Sequence, residues 1–291
     1  MKMKRMSFNY NIIIGGLLII FAIASFIPFY YVIVTSISDP NLIREGQVML
    51  FPRGFSVEAY TMIFTNAKFL SCFRVTVIRT ILGTLLNLLL QCTFAYALSR
   101  KYLPGRKFFT KFIIVSMLFN GGIIPTYLVV RATGLLDTIW ALIIPGAVNT
   151  WNVIILRSFF ENIPDSLEES AKIDGANDVG IFFKIILPLS KPAVATIGLF
   201  CAVGHWNSFM DAVIYLTSYR FQVLQVFLRD MVVQLEMMAL LGDQSYISDF
   251  NVTSLSLRTA AIIAATLPIV LVYPFVQKHF TKGIMIGAIK G

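Results

Sequence analysis

The chain has 291 residues, 57% of them hydrophobic and 13% charged, with a net charge of +9; an ordinary soluble domain carries about a quarter of its residues as charges. The apolar residues come in long blocks, which excludes a water-soluble globule and requires a lipid solvent. The basic residues sit between the blocks without the interleaved aromatic and basic stripe of a strand-binding surface, so nucleic acid is excluded as a partner.

Six blocks are long enough to cross about 30 Å of hydrocarbon as helices: residues 12–34, 77–99, 108–130, 139–160, 192–217 and 259–277. The expected fold is therefore an all-α polytopic membrane protein, a single transmembrane domain over residues 1–291. The first block follows Met1-Lys-Met-Lys-Arg, but its apolar core exceeds a signal-peptide h-region and no small-x-small cleavage site follows, so it reads as a span. With the N-terminus in the cytoplasm, fifteen of the 24 basic residues fall on the inner side, Arg100, Lys101, Arg106, Lys107 and Lys111 among them. The remaining bases are offset by Asp39, Glu45, Glu58, Asp230, Glu236, Asp243 and Asp249 in longer outer segments. The positive-inside rule then predicts six spans with both ends inside.

Two outer segments, near 35–75 and 218–257, are long enough to fold over the membrane face, and "FPRGFSVEAYTMIF" predicts a short surface helix starting near Ser56. Tyr30, Tyr31 and Trp140 read as interfacial aromatic belts. Cys72, Cys92 and Cys201 have neither disulfide-framework nor metal-ligand spacing and read as small apolar packing residues.

Polar residues inside a span are costly unless they face a cavity or a partner. Span three offers Asn120-Gly-Gly with Pro125 and Tyr127, where broken backbone would line a cavity or form a passive kink. Span four offers Asn149, Trp151 and Asn152. In span five Asn207, Asp211 and Tyr215 are spaced by four, which places them on one helix face beside Trp206. Aromatic platforms with amide and carboxylate groups suit a sugar; the same residues would also suit bonding to a partner subunit. His205 is six residues from Asp211 and falls on a different helical face.

The inner loop, about 161–191, contains "EESAKIDGANDVGIFFKIILPLSKP" (168–192), which carries six acids and bases in its first seventeen residues. Ser166 and Glu169 have the spacing of a capping box, a short helix follows, and Gly175 ends it because a residue without Cβ takes the left-handed conformation freely. Asn177 or Asp178 can cap a second helix through "VGIFFKIIL", with Pro188 stopping it and Phe182, Ile185 and Ile186 facing the bundle. This is a helix-turn-helix with small residues, Ala171 and Gly175, at its turn. An ordinary amphipathic linker would read the same from local physics alone.

Glu169-Ser-Ala, three residues, Gly175, nine residues, then Ile185-x-Leu187-Pro188 resembles the EAA loop of permease subunits of ATP-binding-cassette (ABC) importers. Ser170 in place of alanine is the one departure. "IDGAND", "LPLSKP", "FNGGIIPTYLVV", "GHWNSFMDAVIYL" and the tail "GIMIGAIKG" are similar to the carbohydrate-uptake, maltose-permease-like branch, and within it to the oligosaccharide and polysaccharide permeases. The resemblance implies a six-helix core paired with a second, homologous permease, an ATPase dimer that binds ATP and Mg, and an extracytoplasmic binding protein that delivers a carbohydrate. It also implies ATPase coupling through Glu168, Glu169, Ala171, Asp174, Gly175, Ile185, Leu187 and Pro188. No cofactor is expected on this chain, which has no G-x-x-x-x-G-K-[ST] phosphate loop, and its expected home is the bacterial cytoplasmic membrane.

The alternative, an ion-coupled secondary transporter or channel, would need charged residues within the membrane. Outside Asp211 and the near-terminal Arg79 and Arg157 the spans have none, and no inverted repeat is visible. A membrane-embedded enzyme would need a metal cluster, a nucleophile motif or a convergent acid pair, and the sequence offers none.

Overall fold

The computed structural model describes residues 2–119, 121–241 and 252–288, and every regular element among them is helical. In order these are α1 (Lys2–Ser36), α2 (Pro40–Arg44), α3 (Glu58–Thr65), α4 (Ala67–Ser99), α5 (Arg106–Leu118), α6 (Ile123–Ala132), a 3₁₀ turn (Ile139–Leu142) and α7 (Thr150–Glu161). Then follow α8 (Asp165–Ile173), α9 (Asp178–Ile181), a π turn (Phe182–Ile186), α10 (Leu187–Leu189), α11 (Lys191–Asn207), α12 (Met210–Tyr215), a 3₁₀ turn (Tyr219–Phe221), α13 (Leu224–Leu241) and α14 (Ser254–Ala288). Three helices among the described residues are long and apolar enough to cross a membrane: Ile13–Ser36 within α1, Ala67–Ser99, and Ser254–Val272 within α14. The number rises to five when each sharply bent helix pair counts as one span.

Several elements depart from the hydropathy blocks, each for a local reason. α4 starts at Ala67, ten residues before the predicted 77, because the Asn66 carboxamide accepts from the Lys68 and Phe69 N–H groups (2.9 and 3.1 Å) and begins the helix there. The predicted span 108–130 is two helices, α5 and α6, with Gly122 (φ +84) at the start of the second. Predicted span 139–160 is not one helix. After the 3₁₀ turn the chain runs irregularly through Pro145-Gly146 until the Asn149 side chain accepts from the Asn152 N–H at 3.2 Å and starts α7 afresh. At 12 residues, α7 is about 18 Å long and cannot cross alone. Predicted span 192–217 is interrupted at Ser208, which is extended (ψ 133), so α11 ends at Asn207 and α12 is a separate helix from Met210.

The chain divides into two compact units, Met1–Leu70 with Leu228–Leu267, and Ser71–Phe227 with Pro268–Gly291. In the first unit, most α1 side chains from Ile13 to Ile33 are exposed and apolar, the pattern of a helix surrounded by lipid. Asp39 caps α2 through the Asn41 N–H (2.8 Å), and its own N–H reaches the Arg53 carbonyl (3.0 Å), folding the outer segment back on itself. The surface helix expected near Ser56 is α3, beginning at Glu58, and Tyr60 ties it to Ser36 with a 2.7 Å hydrogen bond. Thr253 and Ser256 exchange side-chain-to-backbone bonds (2.9 and 3.0 Å) at the start of α14, a reciprocal cap.

The main core of the second unit draws Cys92, Ala95, Tyr96 and Leu98 from α4, Val153, Leu156 and Phe160 from α7, and Ala193, Ile197 and Cys201 from α11. Ala171, Ile181, Phe182 and Ile186 of the polar inner loop enter the same core. That loop is therefore packed as part of the unit, not hung from it. All three cysteines are buried thiols.

Candidate functional site

The inner loop starts at Pro164, whose fixed φ (−56) leads directly into α8. The helix thus begins at Asp165, one residue ahead of Ser166, so the predicted Ser166–Glu169 capping box does not form and no side chain caps α8. Asp165 and Glu168 in the first turn complement the partial positive charge of the helix start. At the other end Gly175 has φ +82, the Gly175 N–H reaches the Lys172 carbonyl (3.0 Å) and the Ala176 N–H the Ala171 carbonyl (2.9 Å). This is a complete Schellman motif. Asn177 then caps α9 through the Gly180 N–H at 2.8 Å.

Pro188 does not stop the second helix as expected. The Leu187 N–H bonds to the Phe182 carbonyl, an i→i+5 step, and this π turn carries the helix through Pro188, which has no N–H to satisfy, as far as Leu189.

Glu168 is 6% exposed and turned inward. Its carboxylate pairs with Arg100, accepts from the Tyr102 hydroxyl at 3.0 Å, and lies 3.2 Å from Lys172 Nζ. Arg100, just beyond the end of α4, also donates to the Phe160 carbonyl (3.1 Å) and to Ser99 Oγ (2.9 Å) and stacks over the Tyr96 ring at 4.9 Å. The Tyr102 hydroxyl is also 3.1 Å from Asp178 Oδ1, and burial, then the acids around it, push that phenol up, so it stays a donor. At the rim, Lys101 Nζ is 2.8 Å from Asp165 Oδ2 and holds that carboxyl below the usual carboxylate range.

Of the eight residues assigned to this loop, Glu168 and Ala171 are buried against the body, while Ile185 and Leu187 pack on the core. Glu169, Asp174, Gly175 and Pro188 are exposed, as is Ile173 at 86%. A carbon placed at the Gly175 Cβ position would meet nothing within 4 Å, so that position is constrained by its backbone angle and not by space inside this chain.

The second polar assembly lies within the helices. Arg79, Gly83, Asn87 and Gln91 recur every four residues on α4 and so share one side of the helix. Arg79, Asn87 and Gln91 line a cavity of about 470 Å³ together with Asn149, Asn152, Cys201, His205, Ser208, Asp211 and Tyr215. Arg79 is fully buried; it pairs with Asp211 and donates to the carbonyls of Ser208 and Leu142, both at 3.2 Å. Asp211 also accepts from Ser208 Oγ and the Ala212 N–H, both at 2.9 Å. Gly83 lets His205 lie against α4: a Cβ there would come within 2.6 Å of the ring's Cε1. His205 Nε2 is 3.1 Å from Asn87 Nδ2. Gln91 Nε2 donates to the Ala147 carbonyl at 3.0 Å, and no protein partner meets Gln91 Oε1, Asn87 Oδ1 or Arg79 Nε. Each such orphaned buried group costs about 1–3 kcal/mol.

Residues 104–286 match the family described as "Binding-protein-dependent transport system inner membrane component". The chain belongs to this family. It is 46% identical over 283 residues, 97% of this chain and 98% of the other, to the polygalacturonan/rhamnogalacturonan transport system permease protein YtcP of Bacillus subtilis (strain 168). It is 43% identical over 265 residues to protein LplC of the same organism, covering 91% of this chain and 89% of that one. Among solved structures, a bacterial ABC transporter involved in the import of the acidic polysaccharide alginate matches with a TM-score of 0.88 and 35% identity, over 95% of this chain and 98% of that chain. The protein is thus the multi-pass permease subunit of an ABC importer, and ATP hydrolysis resides on a separate subunit.

Within this permease, four of the nine residues expected along a substrate path, Asn149, Asn152, Asp211 and Tyr215, line the cavity. Tyr127 stacks on Tyr215 (centroids 6.5 Å apart, planes at 18°). Asn120 lies outside the described residues, and Trp151 is 57% exposed. Trp206 packs edge-on against Phe73 and borders a separate apolar pocket of about 170 Å³. Asn207 is exposed and off the cavity wall, because the break at Ser208 destroys the common helical face that its spacing from Asp211 implied. The same break brings His205 and Asp211 to one cavity, against the expectation of different faces. Arg79, Asn87, Gln91 and Ser208 were not singled out as wall residues by sequence. The four-residue recurrence of polar and small residues in an apolar run was the available signal for the α4 stripe; nothing local signalled Ser208.

Proposed function

We propose that this permease passes an oligosaccharide, or a fragment of an acidic polysaccharide, across the bacterial cytoplasmic membrane, and that its inner loop couples the movement to a dimeric ATPase. The substrate class rests on the acidic polysaccharides named for its relatives, and the delivering extracytoplasmic protein on the family's binding-protein dependence. Six spans with both ends inside agree with the distribution of basic residues, and a second permease completes the path.

One observation carries the coupling role: the loop is rigid on one side and open on the other. Glu168 and Ala171 bind it to the body, and Glu169, Ile173, Asp174 and Gly175 are left as an exposed knob. Arg100 joins the knob to the end of α4, and α4 also lines the polar cavity. A push on the knob therefore reaches the cavity wall through a continuous 33-residue helix, as a rigid-body movement.

Replacing Gly175 by tryptophan puts a bulky side chain on the exposed turn and forces it into the left-handed region. The expected result is loss of ATPase copurification and of ATP-driven uptake, with membrane insertion intact. Unchanged copurification and uptake would remove the docking role.

A further inference from the structure

The chain is interrupted twice beside the cavity, at 143–149 and at Ser208, and each interruption frees backbone carbonyls that a further turn of helix would meet. Leu142 ends its 3₁₀ turn, and Pro145, three residues on, has no N–H to give it. Ala147 lies between that turn and the start of α7. At the second interruption the Ala212 N–H, four residues beyond Ser208, is spent on the Asp211 side chain. Broken backbone at membrane depth persists only where protein or water meets its polar groups.

Here α4 meets all three carbonyls. Arg79 takes two at once, Ser208 through one terminal nitrogen and Leu142 through the other, both at 3.2 Å. Gln91 Nε2 takes Ala147 at 3.0 Å. A planar guanidinium fork can hold acceptors from two separate segments in one fixed geometry, and Asp211 balances its charge.

The two interrupted segments are also tied to each other. The Asp137 N–H reaches the Tyr215 carbonyl (3.0 Å), and Asp137 Oδ1 accepts from the Thr217 and Ser218 N–H groups (2.6 and 2.9 Å). Val75 of α4 packs with Leu142 and Ala212 in one apolar cluster. Leu142, Gly146 and Asn149 of the first segment and Ser208, Asp211 and Tyr215 of the second line the cavity. Whatever fixes the two segments therefore fixes the shape of that wall.

We propose that Arg79 is a positioning residue that makes both segments move with α4 as one body. The proposal rests on the coupling role given to the inner loop and adds the point at which movement passes to the cavity. Arg100 receives the displacement just beyond the end of α4, and Arg79 delivers it to the wall.

The test uses the complete importer in liposomes with its binding protein and a galacturonic-acid oligosaccharide as probe. Arg79→Lys keeps the charge opposite Asp211 but replaces the fork by a point donor. The apolar cluster still packs, so subunit copurification is expected to be retained. ATP hydrolysis, which resides on a separate subunit, is expected to continue while uptake per ATP hydrolysed falls about tenfold. A role in stability alone would lower uptake and hydrolysis together. A ratio of uptake to hydrolysis equal to that of the wild type, whatever the absolute rates, therefore overturns the proposal. Should Arg79→Lys fail to assemble, Arg79→Gln combined with Asp211→Asn removes the ion pair, keeps one amide donor, and is held to the same outcome. Failure of that variant as well would show a folding role and overturn the positioning role. A wild-type importer without ATP-driven uptake of the probe removes the function proposed above and this inference with it, a result distinct from a changed ratio confined to the variants.

Discussion

Arg79 and Arg100 stand 21 positions apart at two levels of the same helical run, each facing an acid from a distant part of the chain, and the two joints are built differently. At the inner end, Glu168 is met by Arg100, Tyr102 and Lys172, and Arg100 is met in addition by Phe160, Ser99 and the Tyr96 ring. No polar atom of either side chain is orphaned. Within the helices, Arg79 and Asp211 are paired, but Arg79 Nε, Asn87 Oδ1 and Gln91 Oε1 are buried without protein partners beside the cavity. An ion pair whose own polar atoms are all met resists being parted, whereas one flanked by unmet polar atoms gives up part of its stabilisation.

The sharpest way to break this contrast is to remove one acid from each joint. Glu168→Ala strands Arg100 in a dry, closed site and is expected to cost about 3–5 kcal/mol, read as a lowered unfolding midpoint in detergent and lost coupling of uptake to ATP hydrolysis. Asp211→Ala strands Arg79 beside a cavity that water can enter, so the expected cost is smaller, about 1–3 kcal/mol, with uptake impaired more than ATPase copurification. A loss of stability in Asp211→Ala equal to that in Glu168→Ala would erase the distinction between a dry joint and a wet wall.

The smallest effect is expected at the rim of the inner joint. Lys101 holds the Asp165 carboxyl below the usual carboxylate range. A group with a lowered folded pKa adds stability that is present above its unfolded value, about 4, and is lost as pH falls through the folded value. Both side chains are exposed, so solvent weakens the pair. Asp165→Asn should therefore lower the unfolding midpoint slightly near pH 7, and the difference should shrink as the pH is brought below about 4. A difference that grows on acidification would show that Lys101 is not the partner that matters.

Much of the inner loop was legible in the sequence because its signals are local. Gly175 ends a helix and Asn177 begins one through bonds to residues within five positions, and these depend on residue type more than on the rest of the protein. The Ser166–Glu169 pattern misled because Pro164 started the helix one residue sooner. The spans were less legible. Hydropathy summed over about 20 residues finds an apolar block but not a break inside it, so the interruptions at 143–149 and at Ser208 went unseen, and with them the true neighbours of Asn207 and His205.

By itself the sequence determined that the chain lives in a membrane, where its apolar blocks lie and how its polar loop turns, since transfer free energy and capping are sums over near neighbours. Only the tertiary structure decided which acids Arg79 and Arg100 meet, 132 positions away for Arg79 and 68 for Arg100, that Glu168 faces inward while Glu169 faces out, and which amide oxygens are left without partners. The physical reason is that buried charges and hydrogen-bonding groups must be matched in space, and matching across such separations depends on how helices pack and break, which no window of sequence contains.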